Sequence, residues 1–250
     1  MPVLLVVSVL LQFLCLVHMV RSGRPYWWIW VIMIGSYLGI AVYFFTQILP
    51  DLRHDPASRK LVRSVQDKID PERQRRRIAQ ELEIADTVDN RRRLAEESLR
   101  LGDYANAAEL YQSILKGIYA TDAGFMLGLA QAQAGNQQYA AARDTLDALI
   151  QANPDFRSDE GHFLYARCLE ELGEHARALE EYAALATSYP GEEARLRYGQ
   201  LLQQLGRPAE ARKVFEDMLK RARLAPKYYR RKEQEFLSAA QKQLETLERA

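Results

Sequence analysis

The residues best suited to chemistry are four histidines and two cysteines, and their spacing joins none of them into a reactive set. His18, His54, His162 and His175 contain no H-E-x-x-H pair, and the 13 residues separating His162 from His175 match no metal-ligand spacing. Cys15 and Cys168 form no C-x-x-C and are too few for a disulfide framework, so two buried thiols are expected. A glycine-rich phosphate loop and a nucleophile elbow are both absent. What remains is the chemistry of binding. Phe125 and Phe163, set among arginines such as Arg92 and Arg167, suit an extended peptide with apolar anchors and acidic groups. No cofactor is implied, and the expectation is a binding protein, not an enzyme.

Such residues need elements to hold them, and the chain divides sharply. The averages, 48% hydrophobic and 27% charged with a net charge of +1, conceal this. From Met1 to Leu49 only Arg21 and Arg24 are charged. Residues 51–80 carry an excess of +4, and residues 81–250 carry −5. An acidic C-terminal part argues against nucleic acid as a ligand, because phosphate binding needs a basic face.

Residues 2–20 and 26–49 are two apolar, uncharged runs, each near the 20 residues that cross a bilayer. Met-Pro-Val at the start lacks a positive n-region, so a retained helix is favoured over a cleaved signal. The five residues RSGRP between the runs make a tight hairpin, with Gly23 turning the chain. Tyr26, Trp27, Trp28 and Trp30 read as an interface belt. Gly35 and Gly39 form a G-x-x-x-G that serves packing within the hairpin or a homodimer contact. Arg53, Arg59, Lys60, Arg63 and Lys68 outnumber Arg21 and Arg24, which places the C-terminal part in the cytoplasm. The expectation is a multi-pass membrane protein, in the inner membrane if bacterial, with lipid as a partner.

The stretch from His18 to Leu52 resembles the N-terminal two-helix module of the phospholipase D and cardiolipin synthase families. The shared features are R-x-G-R-P at Arg21–Pro25, an aromatic-rich run with a glycine midway, Tyr43, and I-L-P at Ile48, Leu49 and Pro50. The resemblance implies an anchor only. Those enzymes use His-x-Lys, and no histidine here has Lys two places on.

Residues 51–86 read as basic connecting helices. Leu61, Val65 and Ile69 make a stripe, and Asp70-Pro71 is expected to start a new helix. Arg73, Arg75, Arg76 and Arg77 then suit either anionic lipid or a solvated face.

Beyond them the sequence repeats. Leu101-Gly102, Ala134-Gly135, Leu172-Gly173 and Leu205-Gly206 mark turns 33, 38 and 33 residues apart. Ala107, Ala142, Ala178 and Ala211 follow, each with a large residue four places on: Tyr111, Leu146, Tyr182 and Phe215. Upstream lie the large–small pairs Leu94-Ala95, Leu127-Gly128, Tyr165-Ala166 and Tyr198-Gly199. The pattern resembles the tetratricopeptide repeat over residues 88–226. Ser98 and Gln131 depart from it, and the second turn is about two residues longer. Four helix pairs exceed the three or so that a stable stack needs. Residues 227–250 form a further helix, a cap or a partner-binding element.

The fold expected is all-α: a transmembrane hairpin over 1–50, connecting helices over 51–86, an α-solenoid of about four repeats over 88–226, and a capping helix over 227–250. Its first helices should line a concave groove. By register the candidate peptide-binding residues are Arg92 and Arg100, then Phe125 and Leu129, then Phe163 and Arg167, then Leu196 and Gln200. The two phenylalanines could instead pack between units. The function implied is a membrane-anchored scaffold docking a protein or peptide. The alternative is an accessory subunit of a membrane lipid enzyme, bound through the hairpin.

Overall fold

A computed structural model describes residues 2–23, 25–34, 36–48 and 70–249. Arg24, Gly35 and residues 49–69, with the basic collar and the Leu61–Val65–Ile69 stripe, lie outside the described residues. Every regular element described is helical. The chain forms two compact units, 1–73 and 74–250.

In the first unit, α1 spans Pro2–Arg21, α2 Trp28–Ile34 and α3 Ser36–Tyr43, followed by a π-helical turn at Phe44–Ile48. Among the described residues no helix is long and apolar enough to cross a membrane. This corrects the transmembrane hairpin, the lipid partner, and the multi-pass localisation with its cytoplasmic orientation. The second apolar run is not one rod. The α2 and α3 helices have 7 and 8 residues, about 10 and 12 Å of rise against a bilayer core of about 30 Å. They fold back on each other: a Cβ on Gly39 would lie 2.0 Å from the carbonyl oxygen of Val31, eight residues earlier. Gly39 therefore serves a contact within its own chain, the first of its two readings, and the homodimer contact gains no support. Apolar side chains here build a small core of Cys15, Met19, Trp28, Ile32 and Tyr43. Polar groups tie the helices. The Gln12 amide donates to the Ile32 carbonyl at 3.2 Å, and His18 Nδ1 lies 3.1 Å from the Tyr43 hydroxyl.

The second unit opens with α4, Arg73–Ile84, three residues beyond Asp70. Its charge is partly spent on the repeats. Arg75 pairs with Asp103 at 3.0 Å, and Glu81 with Arg93 at 2.7 Å. Four helix pairs follow: α5 Val88–Leu101 with α6 Tyr104–Ile114, α7 Ala123–Gly135 with α8 Tyr139–Ala152, α9 Asp159–Glu171 with α10 His175–Ser188, and α11 Glu193–Gln204 with α12 Pro208–Leu224. Each helix packs on the next, and the first helices of units one to three also touch in succession. The short α13, Lys227–Lys232, leads into α14, Gln234–Arg249, whose Ala240 and Leu244 join the core of the fourth unit.

Turn chemistry sets the register. Gly102, Gly173 and Gly206 adopt positive φ, and so does Gln137 at 61°. All four share one hydrogen-bond pattern. The turn residue donates to the carbonyl three back and its successor donates five back, as in Gln137 to Ala134 and Gln138 to Gln133. Gln137, not Gly135, is thus the equivalent turn residue, and the spacings become 35, 36 and 33. The large–small pair of the second unit is then Leu129-Ala130, matching Leu94-Ala95, Tyr165-Ala166 and Tyr198-Gly199, and Ala95, Ala130 and Ala166 are fully buried. Gly135 and Gly128 serve other contacts. A Cβ on either would lie 2.4 Å from a ring atom, of Tyr104 and Tyr111 respectively.

The small–large rule of the second helices holds in every unit. Ala107, Ala142, Ala178 and Ala211 are fully buried, and Tyr111, Leu146, Tyr182 and Phe215 fill the space beside them. Buried polar residues of the first helices are satisfied across the pair: Asn106 donates to Ser98, and Thr145 to Gln133.

Candidate functional site

The α9 helix carries the site. Its N-cap Ser158 accepts from the Gly161 amide at 3.0 Å, and its turn at Gly173 fixes its far end. One side of it borders a cleft of about 590 Å³ lined by Gln131, Glu160, Phe163, Arg167, Tyr189 and Glu193, with Tyr104 and Tyr139 at its edge. These residues come from all four helix pairs. Arg167 is the single cation of that lining. Its Nε is buried and has no hydrogen-bond partner, and it makes no ion pair among the described residues. The other arginines of this region are committed: Arg197 lies 3.3 Å from Glu170, and Arg143 bonds Glu174 at 2.7 Å. A guanidinium only donates, so Arg167 lends the cleft a positive charge and donors for a carboxylate or carbonyl. Glu160 and Glu193 line the same cleft and offer acceptors.

Phe163 lies beneath Arg167, 7% exposed. Its ring stands 5.1 Å from Tyr189 and 6.3 Å from Tyr182. The Tyr182 hydroxyl donates to Glu170 at 2.6 Å, and burial with that bond pushes its phenol far above the ordinary range. Burial likewise pushes the Cys168 thiol up to about 11, so it stays protonated and unreactive at neutral pH.

The structure gathers two of the sequence-derived candidates, Phe163 and Arg167, at this cleft. The others lie elsewhere. Arg92 is bonded to Asp89 at 2.7 Å and Glu96 at 2.6 Å, which raises its own pKa. Arg100 chelates Glu97 at 2.9 and 2.6 Å. Leu129 and Leu196 are buried in the cores of their units. Phe125 is half-buried against Tyr119, their rings edge to face at 5.7 Å, and Gln200 is half-buried. The two-residue turn accounts for the second unit. Counted from Gln137, the equivalents of Phe163 and Arg167 are Leu127 and Gln131. Sequence reasoning missed Gln131, Glu160, Tyr189 and Glu193. Gln131 had a signal in the anomalous 38-residue spacing, and Glu160 in its place three residues before Phe163 and seven before Arg167 on one helix.

Stacked helix pairs with a cleft running over their first helices define an α-solenoid repeat protein. Tetratricopeptide repeat models match residues 98–159, and 160–191 with 193–223. The chain carries tetratricopeptide repeats over that region. None of these matches reaches the first unit, so the phospholipase D resemblance gains no support from them. Solved structures with a similar fold include MamA, at 18% identity over 78% of this chain and 98% of that one with a TM-score of 0.49. A thermophilic TPR protein of Thermus thermophilus is similar at 19% identity over 67% of this chain and 87% of that one, also with a TM-score of 0.49. Among curated proteins none matches the sequence.

Proposed function

We propose that the chain is a protein-interaction scaffold that docks a polypeptide segment in the cleft of α9, through an acceptor group delivered to Arg167. The observation that carries this reading is Arg167, the single cation lining a cleft of about 590 Å³, with no ion-pair partner among the described residues. A hydrogen bond to a charged group contributes roughly 1.5–3 kcal/mol, so a carboxylate meeting the Arg167 guanidinium would anchor the segment. Phe163 and Tyr189 form an apolar floor, and Glu160 and Glu193 favour a segment that places a donor or cation beside its acidic group. Tetratricopeptide repeats in general act as protein-interaction scaffolds, which agrees with this reading.

A random peptide display selected on the full chain tests it. Selected peptides should carry an acidic side chain or a free carboxylate that is essential for binding. Arg167→Ala should weaken them by about 10- to 100-fold, the range of a hydrogen bond to a charged group. Arg167→Lys should restore only part, since a point charge does not replace the planar guanidinium. Peptides that bind Arg167→Ala as tightly as the native chain would remove Arg167 from the site.

A further inference from the structure

The opposite flank of α9 holds a second cavity, of about 310 Å³, between α8 and α9. It shares no lining residue with the cleft. Leu146, Leu149, Ile150 and Tyr165 form its apolar walls, with Gly161 at the α9 end. His162 and Glu181, joined at 2.7 Å, stand at its polar side.

The repeats themselves supply a template for what fits there. Gly161 is the third residue of α9, bonded through its amide to the N-cap Ser158. In α7 the third residue is Phe125, bonded in the same way to the N-cap Asp122 at 3.0 Å. Phe125 packs against the core cluster containing Tyr111, Ile114 and Leu129, to which Leu115 is also joined. Counted from the turn residues, these four are the counterparts of Leu146, Leu149, Tyr165 and Ile150, the walls of the cavity. Where the second unit supplies its own ring, the third supplies a hydrogen atom, and Leu127 and Phe156 complete the apolar lining of the space left. Leu115 is half-buried, whereas its counterpart Ile150 is 55% exposed. In the fourth unit the same position holds the buried Ala194. Beside it the Arg195 guanidinium is bonded to the carbonyls of Ala186, Tyr189 and Gly191.

We propose that this cavity receives an aromatic side chain of a partner polypeptide, seated where Phe125 sits one unit earlier. A ring is the occupant because the equivalent walls already hold one within this chain. Burying an aromatic side chain in a preformed apolar site gives an anchor of the kind that dominates docking energy. The site is independent of the Arg167 cleft and stands or falls without it.

The test uses the full chain with labelled isoleucine and leucine methyl groups, titrated with N-acetyl-phenylalaninamide and, as an aliphatic control, N-acetyl-leucinamide. The aromatic probe should shift the methyl signals of Ile150, Leu146 and Leu149 by ring current and saturate. Its affinity should exceed that of the aliphatic probe by at least about tenfold, since only a ring matches the template. Gly161→Phe should abolish the response by filling the cavity from within. A Cβ at Gly161 meets Leu127 Cδ1 at 3.2 Å, the end of a flexible side chain. If that variant does not fold, Ile150→Lys, at a side chain already 55% exposed, should weaken the probe by about tenfold or more. Unmoved methyl signals, equal affinity for both probes, or a response that survives both variants would overturn the proposal. A lower oligomeric mass on Gly161→Phe would also overturn it, by making the occupant a second copy of this chain.

Discussion

Helices α7 and α9 begin on the same capping bond and end on the same turn, yet they carry different side chains at equivalent positions on both flanks. Asp122 and Ser158 cap them alike, and Gln137 and Gly173 end them alike. On the flank facing the preceding pair, α7 carries Phe125 and α9 carries Gly161. At the positions that Phe163 and Arg167 hold in α9, α7 carries Leu127, which lines the cavity beside Gly161, and Gln131, which lines the cleft. The repeat scaffold fixes only its small and large core positions. The remaining positions are free to differ, and α9 is where they diverge toward binding.

The comparison can be broken at its shared base. Tyr182 is fully buried against Phe163, and Phe215 holds the same place in the fourth unit. Tyr182→Ala and Phe215→Ala should each cost about 3–5 kcal/mol in urea unfolding. A loss under about 1 kcal/mol would show that these positions do not carry the stack.

Phe163→Ala comes next, at about 3 kcal/mol, because its ring is buried between Tyr182 and Tyr189. Leu127→Ala, its counterpart on α7, is half-buried and should cost about 1.5 kcal/mol. Equal losses would erase the distinction between the two helices. The result also decides what Phe163 is: a floor held by packing, rather than an exposed anchor as its register alone implies.

The plug position sharpens the contrast. Phe125→Ala should cost about 2 kcal/mol, since it opens in the second unit the gap that the third already has. Gly161→Ala should stabilise by about 0.5 kcal/mol through reduced chain entropy, with Leu127 Cδ1 yielding to the new methyl. Melting curves of the two variants should move in opposite directions.

The smallest effect lies at the seam joining the two units. Glu174, at the start of α10, accepts bonds from Arg143 of α8 and from Arg177, and those bonds hold its carboxyl below the usual range. A carboxylate so depressed stabilises the fold above its unfolded pKa, about 4.3, and loses that contribution as pH falls through the lower folded value. Arg143→Gln should therefore lower stability at pH 7 and converge with the native chain near pH 2. A constant difference across that range would assign the effect to packing.

Much of this was legible in the sequence, for physical reasons that vary by element. Ala107, Ala142, Ala178 and Ala211, with the large residues after them, repeat because helices that cross closely tolerate nothing bigger, so the solenoid reads directly. The turn of the second unit did not read, because Gln137 takes the positive φ that glycine takes elsewhere while Gly135 makes room for Tyr104. That two-residue slip put Phe125 and Leu129 in the groove when the first plugs an interface and the second fills a core. The N-terminal unit misled for another reason. Apolar length is the same signal for a membrane span and for short helices folded on themselves, and only the contact of Gly39 with Val31 separates them. At the candidate site Phe163 and Arg167 were visible by register, and Glu160 shares their helix three and seven residues earlier, whereas Tyr189 and Glu193 reach the cleft through stacking of units that no local spacing reports.

The central claim is that Arg167 awaits an acceptor, and its own side-chain signal reports on it most directly. Nitrogen–proton spectra of the arginine Nε–Hε groups should be recorded on the full chain, with and without an acidic peptide selected on it. The Arg167 Nε–Hε resonance should shift on binding, as a carboxylate meets the guanidinium, and stay in place when the peptide's essential carboxylate is replaced by the amide. An Arg167 resonance unmoved at saturating peptide would contradict the account.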